Sequence, residues 1–314
     1  MIEQTIKSLH NDFSIENQLS ITEGVEGDDS FPFISIKNEH ASAIISIYGA
    51  HILSYNPLQK SDEDLLFVSP KAIFKHGKAI RGGIPLCWPW FGKDPESSDT
   101  NSGRGMHGFA RNQMWLLKET GTNRENETLI TLALSDNEAS RKIWPHTFEL
   151  ELKVTVGKTL KLELTTLNTS KESFVMTQAL HTYFSVGDIS HVSVNGLDST
   201  DYLDTTKDSW PTVKQQGDIL FDQRTDRIYT QAPPQVTLVD KMLKRQTLIS
   251  STNSNSTVVW NPWVDISKEM VDLEDDSYKN FVCVETTNAA SDSIEVKPNE
   301  SFCLSTEYTM SEAK

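Results

Sequence analysis

Two arginines and a histidine stand close together between Ile80 and Arg111: Arg81 in IRGGIPLCWPWFG, then His107 and Arg111 in HGFAR. Guanidinium forks bind anions bidentately. Trp88, Trp90, Phe91 and Phe109 surround these groups in sequence, and flat aromatic surfaces suit the apolar faces of a sugar ring. The combination suggests a pocket for a small anionic ligand. Each residue also has a blander reading. Arg81 can be a solvated residue on a turn made by Gly82-Gly83, and Trp88 or Trp90 taken singly reads as core. His107 and Arg111 share a face on a helix and can still converge on a loop.

Two further segments carry groups able to move protons. In ALHTYFSVGDI (179–189) strand alternation puts His181 on the same face as Tyr183, away from Leu180, Thr182 and Phe184. In FVCVETTNA (281–289) Phe281, Cys283 and Glu285 fall on one face, Val282 and Val284 on the other. A carboxylate continuing an apolar strand face is unusual, because charges are rarely buried unless paired or functional. In a semi-buried cleft its pKa rises and it becomes a base useful near neutrality. The competing readings are a partly buried structural histidine and a strand that emerges into solvent at Glu285. Asp226, in QRTDRIY between two arginines, reads by default as a surface ion pair. VVWNPW (258–263) places Trp260 and Trp263 around a turn, as core edge or as a sugar-stacking platform.

The elements that must position these groups are strands. FPFISIK (31–37), ASAIISIY (41–48) and TLITLALS (128–135) alternate apolar and polar positions. FELELKVTV (148–156), the turn signal Gly157-Lys158 and TLKLELTTL form a hairpin with one wet face. Further strand runs lie at 174–184, 192–196, 236–239, 257–260, 281–285 and 302–309. Helix signals are few: DNEASRKIW (136–144) has an Asx cap followed by an acidic residue, and 239–246 is ambiguous. Many short strands predict an all-β sandwich or barrel. Without a linker or repeat, residues 1–314 read as a single domain, with the polar stretch 92–106 as a pocket lip.

The composition narrows the function. The chain has 314 residues, 37% of them hydrophobic, with 29 basic against 44 acidic residues and a net charge of −15. That balance argues against nucleic acid and anionic membranes as partners. It also means that an anionic ligand needs a local positive cluster. Three cysteines, Cys87, Cys283 and Cys303, are widely spaced, so neither a disulfide framework nor a zinc site is indicated. No apolar run is long enough to span a membrane and the first residues do not form a signal peptide, which predicts a soluble cytoplasmic protein. No Gly-rich nucleotide loop, HExxH or GxSxG is present. Two histidines, one strand-borne glutamate and two arginines suit proton transfer on an anionic substrate without a cofactor or metal.

Taken together, IRGGIPLCWPWFG, HGFAR, IWPH (143–146), ALHTYFSVGDI, TDRIY (225–229), VVWNPW and FVCVET resemble the hexose-6-phosphate mutarotases, the glucose-6-phosphate 1-epimerases of the aldose 1-epimerase superfamily. The motifs run in family order from about residue 45 to 290. The resemblance implies a galactose-mutarotase-like super β-sandwich, mainly antiparallel, with a sugar site on the concave face of one large sheet. By motif it implies His181 as general acid and Glu285 as general base. It implies that Arg81 and Arg111 contact the phosphorylated sugar, His107 is a second active-site histidine, and Asp226 is a sugar-hydroxyl ligand. Met106 stands where some relatives carry a glutamine said to contact the sugar, and the loop 93–105 is individual to this chain. A monomer acting on a phosphorylated hexose is expected. The rival readings are a non-catalytic carbohydrate-binding module on the same fold, an epimerase of unphosphorylated aldoses, and a glycosidase with paired carboxylates, for which only one strong acid is on offer.

Overall fold

The computed structural model describes residues 5–24, 31–58, 63–94 and 104–313. Most of the segment read as a pocket lip, 95–103, lies outside them. The two largest sheets have eight and nine strands and are antiparallel wherever their strands pair. A four-stranded antiparallel sheet, Leu19–Glu23 to His51–Pro57, packs beside them. Three short α-helices, four 3₁₀ turns and a small two-stranded sheet complete the regular elements among the described residues.

Side-chain alternation builds the sandwich. Phe148–Val156 pairs with Leu160–Asn168 across the predicted Gly157-Lys158 turn, in the register Phe148↔Asn168 to Val156↔Leu160. Leu150, Leu152, Leu162 and Leu164 point inward and are fully buried, while Glu149 and Lys153 face water. From the eight-stranded sheet, Leu180, Phe184, Val282 and Val284 enter the same core. Polar and aromatic contacts join the two layers: the Tyr308 ring meets Phe184 edge-on at 5.3 Å, Thr182 and Tyr308 hydroxyls lie 2.5 Å apart, and Thr286 bonds Thr306 at 3.0 Å. Trp88 also belongs to this core, donating its indole N–H to Thr166. The inner face of the eight-stranded sheet is thus spent on packing, which leaves its outer face for chemistry.

Several elements differ from the sequence expectation. The run 174–184 breaks into Phe174–Met176, Gln178–Leu180 and Tyr183–Ser185, and the first of these pairs with Ile294–Val296 outside the large sheet. The ambiguous 239–246 is the turn of a hairpin between Gln235–Asp240 and Arg245–Thr252. Two helices had no clear sequence signal. Ile6–Phe13 is capped by Thr5 Oγ1, which accepts the Ser8 N–H at 3.2 Å. Trp263–Glu269 follows Asn261, whose Oδ1 accepts the Trp263 N–H at 2.9 Å. The predicted helix within 136–144 is observed as Glu138–Ile143, with Asn137 as its cap.

Candidate active site

Phe281–Asn288 is a central strand, buried along its whole length. Its core-facing residues anchor it, so Cys283 and Glu285 are held on the outer face. On one side it pairs with Ser256–Asn261, on the other with Gln178–Leu180 and Tyr183–Ser185. Between those two short strands the ladder is interrupted: His181 donates its backbone N–H to Pro85 O instead. The register survives the interruption. Leu180 faces Thr286 and Tyr183 faces Cys283, which leaves His181 opposite Glu285. Their side chains meet with Nδ1 3.4 Å from Oε1. Glu285 is 1% exposed and His181 7%.

Neighbouring rows complete this face. Tyr183, Cys283, Trp260 and Asp226 lie abreast across successive strands. The Tyr183 ring stacks on His181 at 5.0 Å and 12°, and Trp260 meets the imidazole edge-on at 6.2 Å. Asp226 is half-buried and pairs with Arg224 at 3.8 Å; Arg227 turns away to Gln215 and the Tyr202 ring. The ion pair expected at Asp226 is present with one of its two flanking arginines, on a carboxylate that is half-buried at the edge of this face.

HGFAR is a loop followed by one 3₁₀ turn, Ala110–Asn112, not a helix. It zips against WPWFG. Phe109 N–H bonds Trp88 O, and Gly108 lies so near Trp88 that an added Cβ would fall 1.9 Å from its carbonyl oxygen. Gly92 and His107 close the loop between them with two bonds: His107 N–H to Gly92 O at 2.7 Å, and Gly92 N–H to His107 Nδ1 at 3.2 Å. Because Nδ1 accepts, a neutral His107 carries its proton on Nε2 and is a donor there. The His107 ring lies 5.5 Å from that of His181 and 5.0 Å from Phe91. Among the opening aromatics, Phe91 thus borders the histidines, whereas Trp88, Trp90 and Phe109 are core. Trp263 packs on Tyr278 and supplies no second platform.

The two arginines are held differently. Arg81 grips Asp272 through Nε (3.2 Å) and Nη2 (3.2 Å), and donates from Nη1 to the Tyr183 hydroxyl at 3.0 Å. Arg111 donates to the Met106 carbonyl at 2.8 Å, and its buried Nε has no hydrogen-bond partner among the described residues. Asp272 was not among the expected site residues; it lies in the acidic run VDLEDD. Leu273, 1% exposed and packed with Tyr183, Phe281 and Cys283, is the signal that could have found it. An apolar residue inside an acidic run marks where that run turns inward.

Electrostatics separate the proton carriers. Burial pushes the Glu285 carboxyl well above the usual carboxylate range, Asp226 adds to this, and Arg111 opposes it. Burial pushes His181 well below an ordinary imidazole, with His107, Arg111 and Arg81 acting in the same direction. His107 is lowered by burial, then by Arg111 and Arg81. Both shifts favour the neutral forms, a protonated Glu285 and an uncharged His181. Glu285 Oε2 and His181 Nδ1 have no hydrogen-bond partner among the described residues, so both are open to a ligand. Among those residues, no group of three or more His, Cys, Asp or Glu is arranged to hold a metal ion.

Comparison with known proteins matches this arrangement to a family. The model of the aldose 1-epimerase family matches residues 32–309. A provisionally named glucose-6-phosphate 1-epimerase of Salmonella typhimurium is 38% identical over 261 residues, 83% of this chain and 84% of that protein. The crystal structure of a provisionally named mutarotase, YeaD, from Salmonella typhimurium superposes with a TM-score of 0.85 at 34% identity, covering 96% of each chain. The fold alone extends to galactose 1-epimerase from Lactobacillus acidophilus, with a TM-score of 0.70 at 13% identity, over 95% of this chain and 99% of that one. The chain belongs to the aldose 1-epimerase family and is a sugar epimerase, an isomerase built on the galactose-mutarotase-like sandwich.

Proposed function

We propose that this protein interconverts the α and β anomers of hexose 6-phosphates, with glucose 6-phosphate as the first substrate to test. The observation that carries the reading is the register-matched approach of His181 to Glu285, on a face that Arg81 and Arg111 also reach electrostatically. His181 and Glu285 are the proposed catalytic residues; Arg81, His107, Arg111 and Asp226 are the proposed substrate contacts. The names of the relatives support the phosphorylated substrate.

Changing the anomer requires opening the ring. Ionised Glu285 takes the proton of the anomeric hydroxyl, the C1–O5 bond breaks, and protonated His181 gives its proton to O5. C1 becomes a free aldehyde. Rotation about C1–C2 exposes the other carbonyl face, and the reverse transfers close the ring. Protons balance, and no electrons leave the sugar, so the chemistry calls for no redox cofactor. Before the sugar reacts, the proton carried by Glu285 has to move to His181, whose Nδ1 lies 3.4 Å from Glu285 Oε1. Ring opening leaves Glu285 protonated and His181 neutral. That is the state favoured by the buried surroundings, which therefore stabilise the open-chain intermediate. His107, a neutral Nε2 donor, is placed to hydrogen-bond a sugar oxygen.

Glu285→Gln keeps the shape but removes the base. The catalysed rate of anomer exchange, followed by polarimetry on a freshly dissolved anomer, should fall by at least about 100-fold. A near-normal rate would overturn the base assignment, and an inactive wild type would favour the binding-module reading. An epimerase of unphosphorylated aldoses is the second reading, favoured by the capture of Arg81 by Asp272. Comparing glucose with glucose 6-phosphate decides between them. A monomer is the proposed working unit, which the molecular mass in solution would test. Three free cysteines fit a reducing compartment such as the cytoplasm.

A further inference from the structure

The arginines are unequal in charge, although the motifs present them as a pair. Arg81 offers its Nε–Nη2 edge, the edge best matched to a bidentate anion, to the carboxylate of Asp272. A carboxylate seated there cancels the guanidinium charge at close range. Nη1 then spends a donor on Tyr183. Arg111 has no such partner: among the described residues it bonds one main-chain carbonyl and makes no ion pair. Its charge acts on His51, Cys87, His107, His181 and Glu285, and at His107 and His181 it outweighs that of Arg81, which acts there in the same direction. Asp272 is held firmly enough to compete. Its side chain is 15% exposed, and the next residue, Leu273, is locked into the cluster under Tyr183 while Val271 on the other side is solvent-facing.

We infer that Asp272 sets the charge selectivity of the site, neutralising Arg81 so that Arg111 alone supplies the net positive charge that holds an anionic substrate group. Arg81 then reads hydroxyls with its two remaining N–H groups and fixes the phenol that stacks on His181. A phosphate that sought the Arg81 fork would have to displace a carboxylate of the protein, a step that raises no net attraction. Asp272 acts through Arg81 and is a positioning and selectivity residue, not a catalytic one. The inference rests on the reading of this site as one for phosphorylated hexoses, but its test does not.

Inorganic phosphate is the probe, measured by calorimetry and as a competitive inhibitor of anomer exchange in the full chain. Asp272→Asn frees the charge of Arg81 and should bind phosphate at least about threefold more tightly than wild type. It should also lower KM for glucose 6-phosphate relative to KM for glucose. Unchanged or weaker phosphate binding overturns the inference, because it would mean that Asp272 only orients Arg81 toward the anion. If Asp272→Asn does not fold, Arg111→Gln and Arg81→Gln decide. Arg111→Gln should lose phosphate affinity by about tenfold or more, while Arg81→Gln should slow both sugars by similar factors; a larger phosphate loss in Arg81→Gln overturns the inference. A wild type that shows no preference for glucose 6-phosphate over glucose defeats the hexose-phosphate reading instead. The phosphate gain in Asp272→Asn remains the criterion for Asp272 in that case.

Discussion

At Glu285 and His181 burial acts in opposite senses, raising the carboxyl and lowering the imidazole, so over a wide pH range between the two the pair carries one proton, on Glu285. The sign of the pH dependence follows. On the acid side the pair fails when His181 gains a second proton, which its lowered pKa delays to more acidic pH. On the alkaline side it fails when Glu285 loses its proton, which its raised pKa delays to more alkaline pH. Anomer-exchange rates measured against pH should therefore form a broad plateau extending above the ordinary histidine value of 6.5. A fall centred near that value would contradict the pair. His51 offers a stability test that is separate from the chemistry. It is buried, donates from Nε2 to Gly82 O at 2.7 Å, and is lowered to about 4 by burial, with the Gly82 bond opposing and Arg111 reinforcing. A lowered folded value means stability present above 6.5 and lost as pH falls toward 4. The loss from this group should reach about 3 kcal/mol. His51→Gln should shed less stability between pH 7 and pH 4.5 than wild type, read from urea midpoints.

Elements place these groups through close backbone approach as much as through strand pairing. The HGFAR loop is seated on WPWFG because Gly108, at φ +68°, admits the Trp88 carbonyl where any Cβ would collide. Gly82 does the same for the Arg81 turn: at φ +109° a Cβ would lie 2.3 Å from Phe67 O. Gly108→Ala combines a left-handed backbone with a clash against main chain that cannot move aside. It should cost at least about 3 kcal/mol in a denaturant titration. It should also slow the surviving enzyme, because His107 and Arg111 are carried by that loop. Unchanged stability would show that the two segments are not locked as described. The interruption at His181 is the other device at this scale. Losing ladder bonds for two residues lets the His181 backbone reach Pro85 while the register holds the imidazole opposite Glu285.

In the whole molecule, the two large sheets draw strands from most of the chain and share one core, which includes Ile34 and Ile52 of the four-stranded sheet. We propose that residues 1–314 form a single cooperative unit. Leu164→Ala, at a fully buried position of the nine-stranded sheet, should cost about 2–5 kcal/mol and leave the unfolding trace a single transition. Two separated transitions would break the single-domain reading. Much of this architecture was legible beforehand, because strand alternation is a local property. Phe148–Val156 and its hairpin partner follow from period-two patterning, and the same rule put His181 with Tyr183 and Glu285 with Cys283 on common faces. The short helices were harder: Ile6–Phe13 and Trp263–Glu269 depend on single local bonds, at Thr5 and Asn261, rather than on a long periodic face. The sequence by itself determined the all-β class, the residue types of the site and the strand faces from which His181 and Glu285 project. Tertiary structure alone decided that His181 meets Glu285, that Trp88 and Trp90 are core while Phe91 borders the histidines, and that Asp272 takes the fork of Arg81. Those outcomes depend on register, burial and partners brought from distant segments, and none of these leaves a periodic signal in the chain.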